Sequence, residues 1–164
     1  MNWEERKIKG LIEINKQSID AKFPFAEIEY IDTASANEGR LERVQKLDLA
    51  EAPSRARRIV KDNNILYSTV RPNLKHFVFI EKSKPNLIAS TGFAVIECKK
   101  ELDPKFLYSF LITNPVVDYL MSIAEGQASH FRHSIQKLLK KSKSNFRRFL
   151  SNAELRKFWG VTML

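Results

Sequence analysis

The chain has 164 residues, one cysteine, and 28 basic against 19 acidic side chains, a formal net charge of +9. That length allows one domain with a real core, and the lone Cys98 excludes an intramolecular disulfide and suits a reducing cytoplasm. No run nears the roughly 18 apolar residues of a membrane span, and the opening residues, with Trp3, Glu4 and Glu5, do not form a secretory leader.

In chain order, residues 1–20 are charged, with apolar positions at Trp3, Ile8, Leu11, Ile12 and Ile14 that fit a short strand or helix. Phe23 to Ile31 predicts a strand with Ile28 and Tyr30 on one face, and Ser35-Ala36-Asn37-Glu38-Gly39 predicts a loop. Leu41 to Leu47 reads as a returning strand. The β-branched and aromatic run Ile65 to Val70 enters a turn at Arg71-Pro72-Asn73, and His76 to Ile80 reads as the strand coming back. A turn at Lys82–Asn86 precedes a further strand from Phe93 to Ile96. Hydroxyls (Ser68, Thr69, Ser90, Thr91) and cations (Arg55, Arg57, Arg58, Arg71, Lys75) fall at the strand ends, and both residue types contact phosphates and base edges.

The period then changes. Asp103-Pro104 has the form of an N-cap followed by proline at the first helical position, and Phe106, Leu107, Phe110 and Leu111 recur at helical spacing. Asn114-Pro115 opens a second helix by the same logic, with Val116, Val117, Leu120, Met121 and Ala124 inward and Gly126 as its C-cap. A β-rich body followed by two helices is an α+β domain: a twisted, mostly antiparallel sheet with the helices against it. Phe77, Phe79, Phe93, Phe106 and Phe110 fit inward positions.

Three catalytic readings were weighed and set aside. A base methyltransferase needs a Pro-Pro-aromatic motif and a glycine-rich loop for the methyl donor, and the five glycines here are isolated. Glu101, Asp103 and Lys105 have the spacing of a metal-dependent nuclease, but Asp103 already opens a helix and no partner acid lies upstream. His76, Cys98, His130 and His133 show no paired spacing of the zinc type. The chain therefore reads as a non-enzyme with no cofactor and no metal.

Several separate phrases resemble the target-recognition domain of type I restriction–modification specificity subunits. They are Ala52-Pro53-Ser54-Arg55-Ala56-Arg57-Arg58-Ile59-Val60, then Asn64 to Lys75 containing Ser68-Thr69-Val70-Arg71-Pro72-Asn73, then Ile88-Ala89-Ser90-Thr91-Gly92-Phe93. Leu102-Asp103-Pro104-Lys105-Phe106-Leu107-Tyr108 and Ala124-Glu125-Gly126-Gln127 continue the series, so the resemblance covers roughly residues 25 to 130. It departs at Asn63-Asn64, where the family has Gly-Asp, which leaves the turn geometry there open. The resemblance implies sequence-specific recognition of double-stranded DNA, one half of a bipartite site per domain, without catalysis. It also implies methyltransferase and restriction subunits as partners.

The candidate DNA-binding residues are Arg55, Arg57, Arg58, Ser68, Thr69, Arg71, Asn73, Lys75, Ser90, Thr91, Gln127 and His130. The Arg55–Arg58 cluster reads either as a phosphate clamp or as a solvated strand edge. The Ser-Thr-Val-Arg-Pro phrase recurs in family members that read different sequences. Ser68, Thr69 and Arg71 are therefore assigned to scaffold or backbone contact, and base choice to loops such as Ser35–Gly39 and Gln127–His130.

The tail is a separate problem. From Gln127 onward there are nine basic residues and one acidic residue, so this segment carries +8 and the first 126 residues only +1. At face value residues 131–164 are a basic amphipathic tail, and a small interaction protein that binds a membrane or an acidic partner is the alternative function. The family instead carries a proline-rich phrase here and then a long spacer helix. With serine and arginine taken as TCN and CGN, the codons from Lys141–Ser142 permit a shifted frame reading Ile-Glu-Ile-Lys-Leu-Pro-Pro-Leu-Pro-Ile-Gln-Arg-Arg-Ile-Ala-Glu-Ile-Leu-Gly-Ser-Asp-Asp-Ala, which resembles that phrase. Residues 1–130 are thus read as the recognition domain, and roughly the last twenty-five residues as an out-of-frame replacement for the spacer helix, with an in-frame tail as the other option.

Overall fold

The computed structural model describes residues 11–100, 102–123 and 134–135. Ten strands and two helices follow one another along them. The strands are β1 (Ile12–Ile14), β2 (Glu27–Ile31), β3 (Ala36–Asn37), β4 (Arg40–Leu41), β5 (Gln45–Asp48), β6 (Ala56–Ile59), β7 (Asn64–Ser68), β8 (Phe77–Ile80), β9 (Leu87–Ser90) and β10 (Phe93–Cys98). The helices are α1 (Pro104–Leu111) and α2 (Asn114–Ile123). The α+β class holds. The sheet is divided, however, into a four-stranded sheet ordered β1-β10-β7-β8, a second ordered β5-β2-β9-β6, and the small β3–β4 hairpin. Every pairing is antiparallel except β2 with β9.

Burial on both faces explains why β7 is an uninterrupted apolar run rather than an alternating one. Ile65 and Tyr67 join the cluster formed with Phe106, Leu107 and Leu111 of α1 and Val116, Val117 and Leu120 of α2. Leu66, between them, joins the cluster with Ile31 and Ala89 of the second sheet, together with Val78, Phe93 and Val95. Successive side chains on a strand point to opposite faces, so a strand packed on both sides needs apolar residues at consecutive positions. A third cluster (Ile28, Tyr30, Ala56, Ile88) covers the far face of the second sheet, roofed by Ile19, Phe23 and Leu47.

Local chemistry sets the boundaries. Asp103 accepts a hydrogen bond from the Phe106 N–H at 2.6 Å, so α1 starts where the Asp-Pro pair predicts. The second helix begins one residue earlier than its Asn-Pro pair suggests. The Thr113 carbonyl accepts from the Val116 and Val117 N–H groups, which puts Asn114 inside the first turn rather than at the cap. Met121 is 47% exposed and faces outward, against the inward expectation. Asn63 adopts φ 60°, the left-handed conformation that asparagine tolerates better than most residues, so a tight turn forms here without glycine. Asn64 secures it by accepting from the Lys61 N–H at 2.8 Å.

Trp3, Ile8, Glu101, Ala124, Gly126, Gln127, His130, His133 and the basic tail apart from residues 134–135 lie outside the described residues. Ser134 and Ile135 are described, and Ile135 is fully buried in the core beneath the helices. The core thus reaches past the 130/131 boundary read from the sequence.

Two stability experiments follow. Truncating the fully buried Leu107 to alanine is expected to cost about 2–5 kcal/mol in denaturant melts, against about 1 kcal/mol for Asp103→Ala, which removes only a cap. Burial first, then the nearby Asp103 and Glu97 carboxylates, pushes the Cys98 thiol up to about 12. It stays protonated at pH 8, so thiol reagents should label the native protein slowly and the denatured protein fast.

Candidate nucleic-acid interface

Strand directions gather the candidate residues at one end of the molecule. β2 and β9 run parallel, so Ile31 and Ala89 finish side by side. β6 runs against β9, so its first residue, Ala56, meets Ser90. The end of β7 at Ser68 meets the start of β10 at Phe93. Asp32, Arg55, Ser68–Lys75 and Ser90–Gly92 therefore come together, although up to about sixty residues separate them in sequence.

The hydroxyls at this end serve the scaffold. Ser68 is buried and its Oγ donates to the Val70 carbonyl at 2.8 Å. Ser90 is buried too and accepts from the Gly92 N–H at 3.2 Å. Thr69 ties two turns together, since both its N–H (2.9 Å) and its Oγ1 (3.0 Å) donate to the Gly92 carbonyl. These groups satisfy backbone polar atoms where strands end, which buried turns require. Only Thr91 keeps an exposed side chain, its N–H donating to the Arg55 carbonyl at 2.8 Å.

The three arginines of the cluster do different things. Arg55 pairs with the Asp32 carboxylate at 2.5 Å, and its Nε donates to the Tyr30 hydroxyl at 3.2 Å. The same carboxylate accepts from the Thr33 N–H, capping a 3-10 turn at Thr33–Ser35. Arg58 is half-buried, donates to Ser18 Oγ at 3.1 Å, and has a buried Nε without a partner among the described residues. Arg57 sits at a bulge in β6 and is exposed; its Nε donates to the Ser54 carbonyl at 3.1 Å, and no carboxylate neutralises it among the described residues. Of the three, Arg57 has the charge most available to a phosphate.

Arg71 stands at the head of a 3-10 turn, Pro72–Leu74, that packs against α2. Arg71 (φ 51°) and Lys75 (φ 53°) hold left-handed backbone on either side of it. Strain of this kind persists only where surrounding structure enforces it, and such positions cluster at functional sites. The Arg71 and Asn73 side chains are exposed and make no hydrogen bond or ion pair among the described residues, while Lys75 pairs with Glu38 at 3.2 Å. Val70 (60% exposed) and Leu74 (46%) flank Arg71 with apolar surface.

Ser35–Gly39 reads from the sequence as a loop. It is instead a 3-10 turn followed by the tight β3–β4 hairpin, with Glu38 (φ 44°) and Gly39 (φ 88°) both left-handed as a type I′ turn requires. The Asn-Glu-Gly-Arg tetrapeptide was the available signal. A side chain on Gly39 would also meet the Tyr108 hydroxyl, its Cβ lying 2.6 Å from that oxygen. The hairpin presents Arg40, an exposed cation that sequence analysis passed over. His76, weighed only as a metal ligand, is hydrogen-bonded to the Ala36 carbonyl. Lys105, which with Glu101 and Asp103 has the spacing of a nuclease site, is instead bound to Glu81 at 2.7 Å.

The sequence matches the family model described as "Type I restriction modification DNA specificity domain" over residues 1–146. It is 26% identical over 134 residues to the type I restriction enzyme HindI specificity subunit of Haemophilus influenzae, covering 79% of this chain and 28% of that protein. The fold is similar to the HsdS subunit from Thermoanaerobacter tengcongensis, with TM-score 0.65 and 18% identity over 93% of this chain and 43% of that one. A chain solved in work on complex assembly and conformational transition of the type I R-M system gives TM-score 0.59 and 18% identity over 90% of this chain and 45% of that one. The chain therefore spans less than half the length of the relatives it matches. With the match covering most of its length, the chain belongs to the type I restriction–modification DNA specificity domain family.

Proposed function

We propose that this chain is a DNA target-recognition module that reads one half of a bipartite duplex site and performs no chemistry of its own. The observation that carries this reading is the gathering of Arg40, Arg57, Arg71, Asn73 and Thr91, all exposed, on strand ends and turns braced at one end of a rigid scaffold. Arginines and small polar groups at that density suit phosphates and base edges. Of the Arg55–Arg58 cluster, Arg57 takes the phosphate role, while Arg55 and Arg58 hold the scaffold. Ser68, Thr69 and Ser90 shape the turns; base choice is assigned to the hairpin, and Gln127 and His130 remain candidates for it from the sequence alone.

In this reading the natural partners are double-stranded DNA and the methyltransferase and restriction subunits of a type I system, in the cytoplasm. Docking to those subunits is impaired in this reading, because residues 141–164 do not carry the family's proline-rich phrase. The basic tail is then a product of coding and contributes nothing to specificity. Sequencing the gene from codon 127 past the stop tests this. The shifted frame should spell the proline-rich phrase and continue into a helix with a heptad pattern, whereas a closed frame would make the tail genuine.

Each phosphate contact adds about −0.9 to the slope of log K against log salt. Arg57→Ala and Arg71→Ala should each make that slope shallower by about 1. Arg55→Ala should leave the slope unchanged and lower stability by up to about 1 kcal/mol, the scale of an exposed ion pair. Equal slopes for all three variants would overturn the assignment. A chain ended after Lys140, which keeps Ile135 in the core, should still bind duplex DNA. Loss of binding with residues 141–164 would favour the tail as the interacting element.

A further inference from the structure

His76 belongs to none of the roles assigned so far. It is half-buried between the Arg71 turn and β8, with Nδ1 2.6 Å from the Ala36 carbonyl oxygen. A carbonyl only accepts, so Nδ1 carries the proton and the tautomer is fixed. The adjoining backbone is shared in two directions. Ser68 N–H donates to the His76 carbonyl at 2.9 Å, anchoring the segment to β7. From the other side, Glu38 N–H donates to the Lys75 carbonyl at 3.0 Å and Gly39 N–H to the Phe77 carbonyl at 2.9 Å.

Residues 75–77 are thus the seam between the Arg71 turn and the β3–β4 hairpin. Strands of two residues cannot hold a hairpin in place by their own pairing. Its position depends on ties across this seam, and the Lys75–Glu38 ion pair, exposed on both sides, adds little. The His76–Ala36 bond is the part-buried side-chain tie, and a hydrogen bond with less access to water counts for more.

We propose that His76 is a positioning residue: its Nδ1–H locks the β3–β4 hairpin to the Arg71 turn, so that the two loops present one fixed surface to DNA. The link to DNA rests on the function proposed above; the lock itself does not.

The test compares His76→Asn, whose amide can donate from the Nδ1 position, with His76→Gln and His76→Phe, which cannot. In the free protein, amide hydrogen exchange at Glu38, Gly39 and Glu42 should quicken about fivefold or more in the Gln and Phe variants, the factor a lost hydrogen bond implies. It should stay near wild type in the Asn variant, with β7 and β10 amides unchanged in all three. Should the Phe variant fail to fold, the Gln variant carries the comparison. With DNA, the ratio of binding to a duplex selected from a random pool over competitor duplex should fall in Gln and Phe and persist in Asn, at unchanged salt slope. Equal hairpin exchange in all variants, or a Gln variant that keeps the wild-type ratio, would overturn the proposal. A wild-type chain that selects no sequence would sink the DNA reading instead, and the exchange comparison would still decide the lock.

Discussion

Everything in this structure hangs on β7 being packed on both faces. Its centre, Ile65-Leu66-Tyr67, sends two side chains toward the helices and one toward the second sheet, so a single strand belongs to two cores at once. Burying those three side chains contributes on the order of 1.5–3 kcal/mol each, which is large beside a domain's net stability. It also fixes the strand's register, since a one-residue slip would exchange its two faces. The end of β7 is therefore a stationary point, and the turns that leave it inherit that rigidity.

Rigidity at the strand end gives the polar surface its precision. Ser68, Thr69 and Ser90 close the turns by satisfying backbone groups that would otherwise be left unpaired, and Asp32 holds both the Thr33 turn and Arg55. With the scaffold bound in this way, Arg57, Arg71 and Asn73 are left exposed without carboxylate partners among the described residues. That division between residues that build and residues that remain available distinguishes a binding surface from a merely charged one. It also shows why net charge is a poor guide here. The excess of positive charge lies beyond Gln127, while the braced surface lies in a body that is almost neutral.

The parts of this account legible in the sequence were those with local causes. The Asp103 cap, the apolar run of β7, and the phrases that tie the chain to its family all depend on neighbouring residues. What could not be read depended on partners far along the chain. Nothing near Arg55 announces that Asp32, twenty-three residues earlier, neutralises it, or that Ser18 engages Arg58. The division into two sheets was hidden because β2 and β9 pair in parallel across a long connection, which leaves no turn signal. The β3–β4 hairpin was missed because strands of two residues fall below any periodicity. Met121 was misplaced because its helical spacing matches that of the buried Val117, yet its own side chain is exposed.

The most direct test of the central claim is an amide-exchange footprint of the full chain with and without a duplex that it selects. The account predicts protection at Asn37–Arg40, Thr69–Lys75 and Thr91–Gly92, on the strand-end surface, with the opposite end around Lys61–Asn64 and Ser83 unchanged. Protection at that opposite end, or confined to residues beyond Lys140, would contradict it.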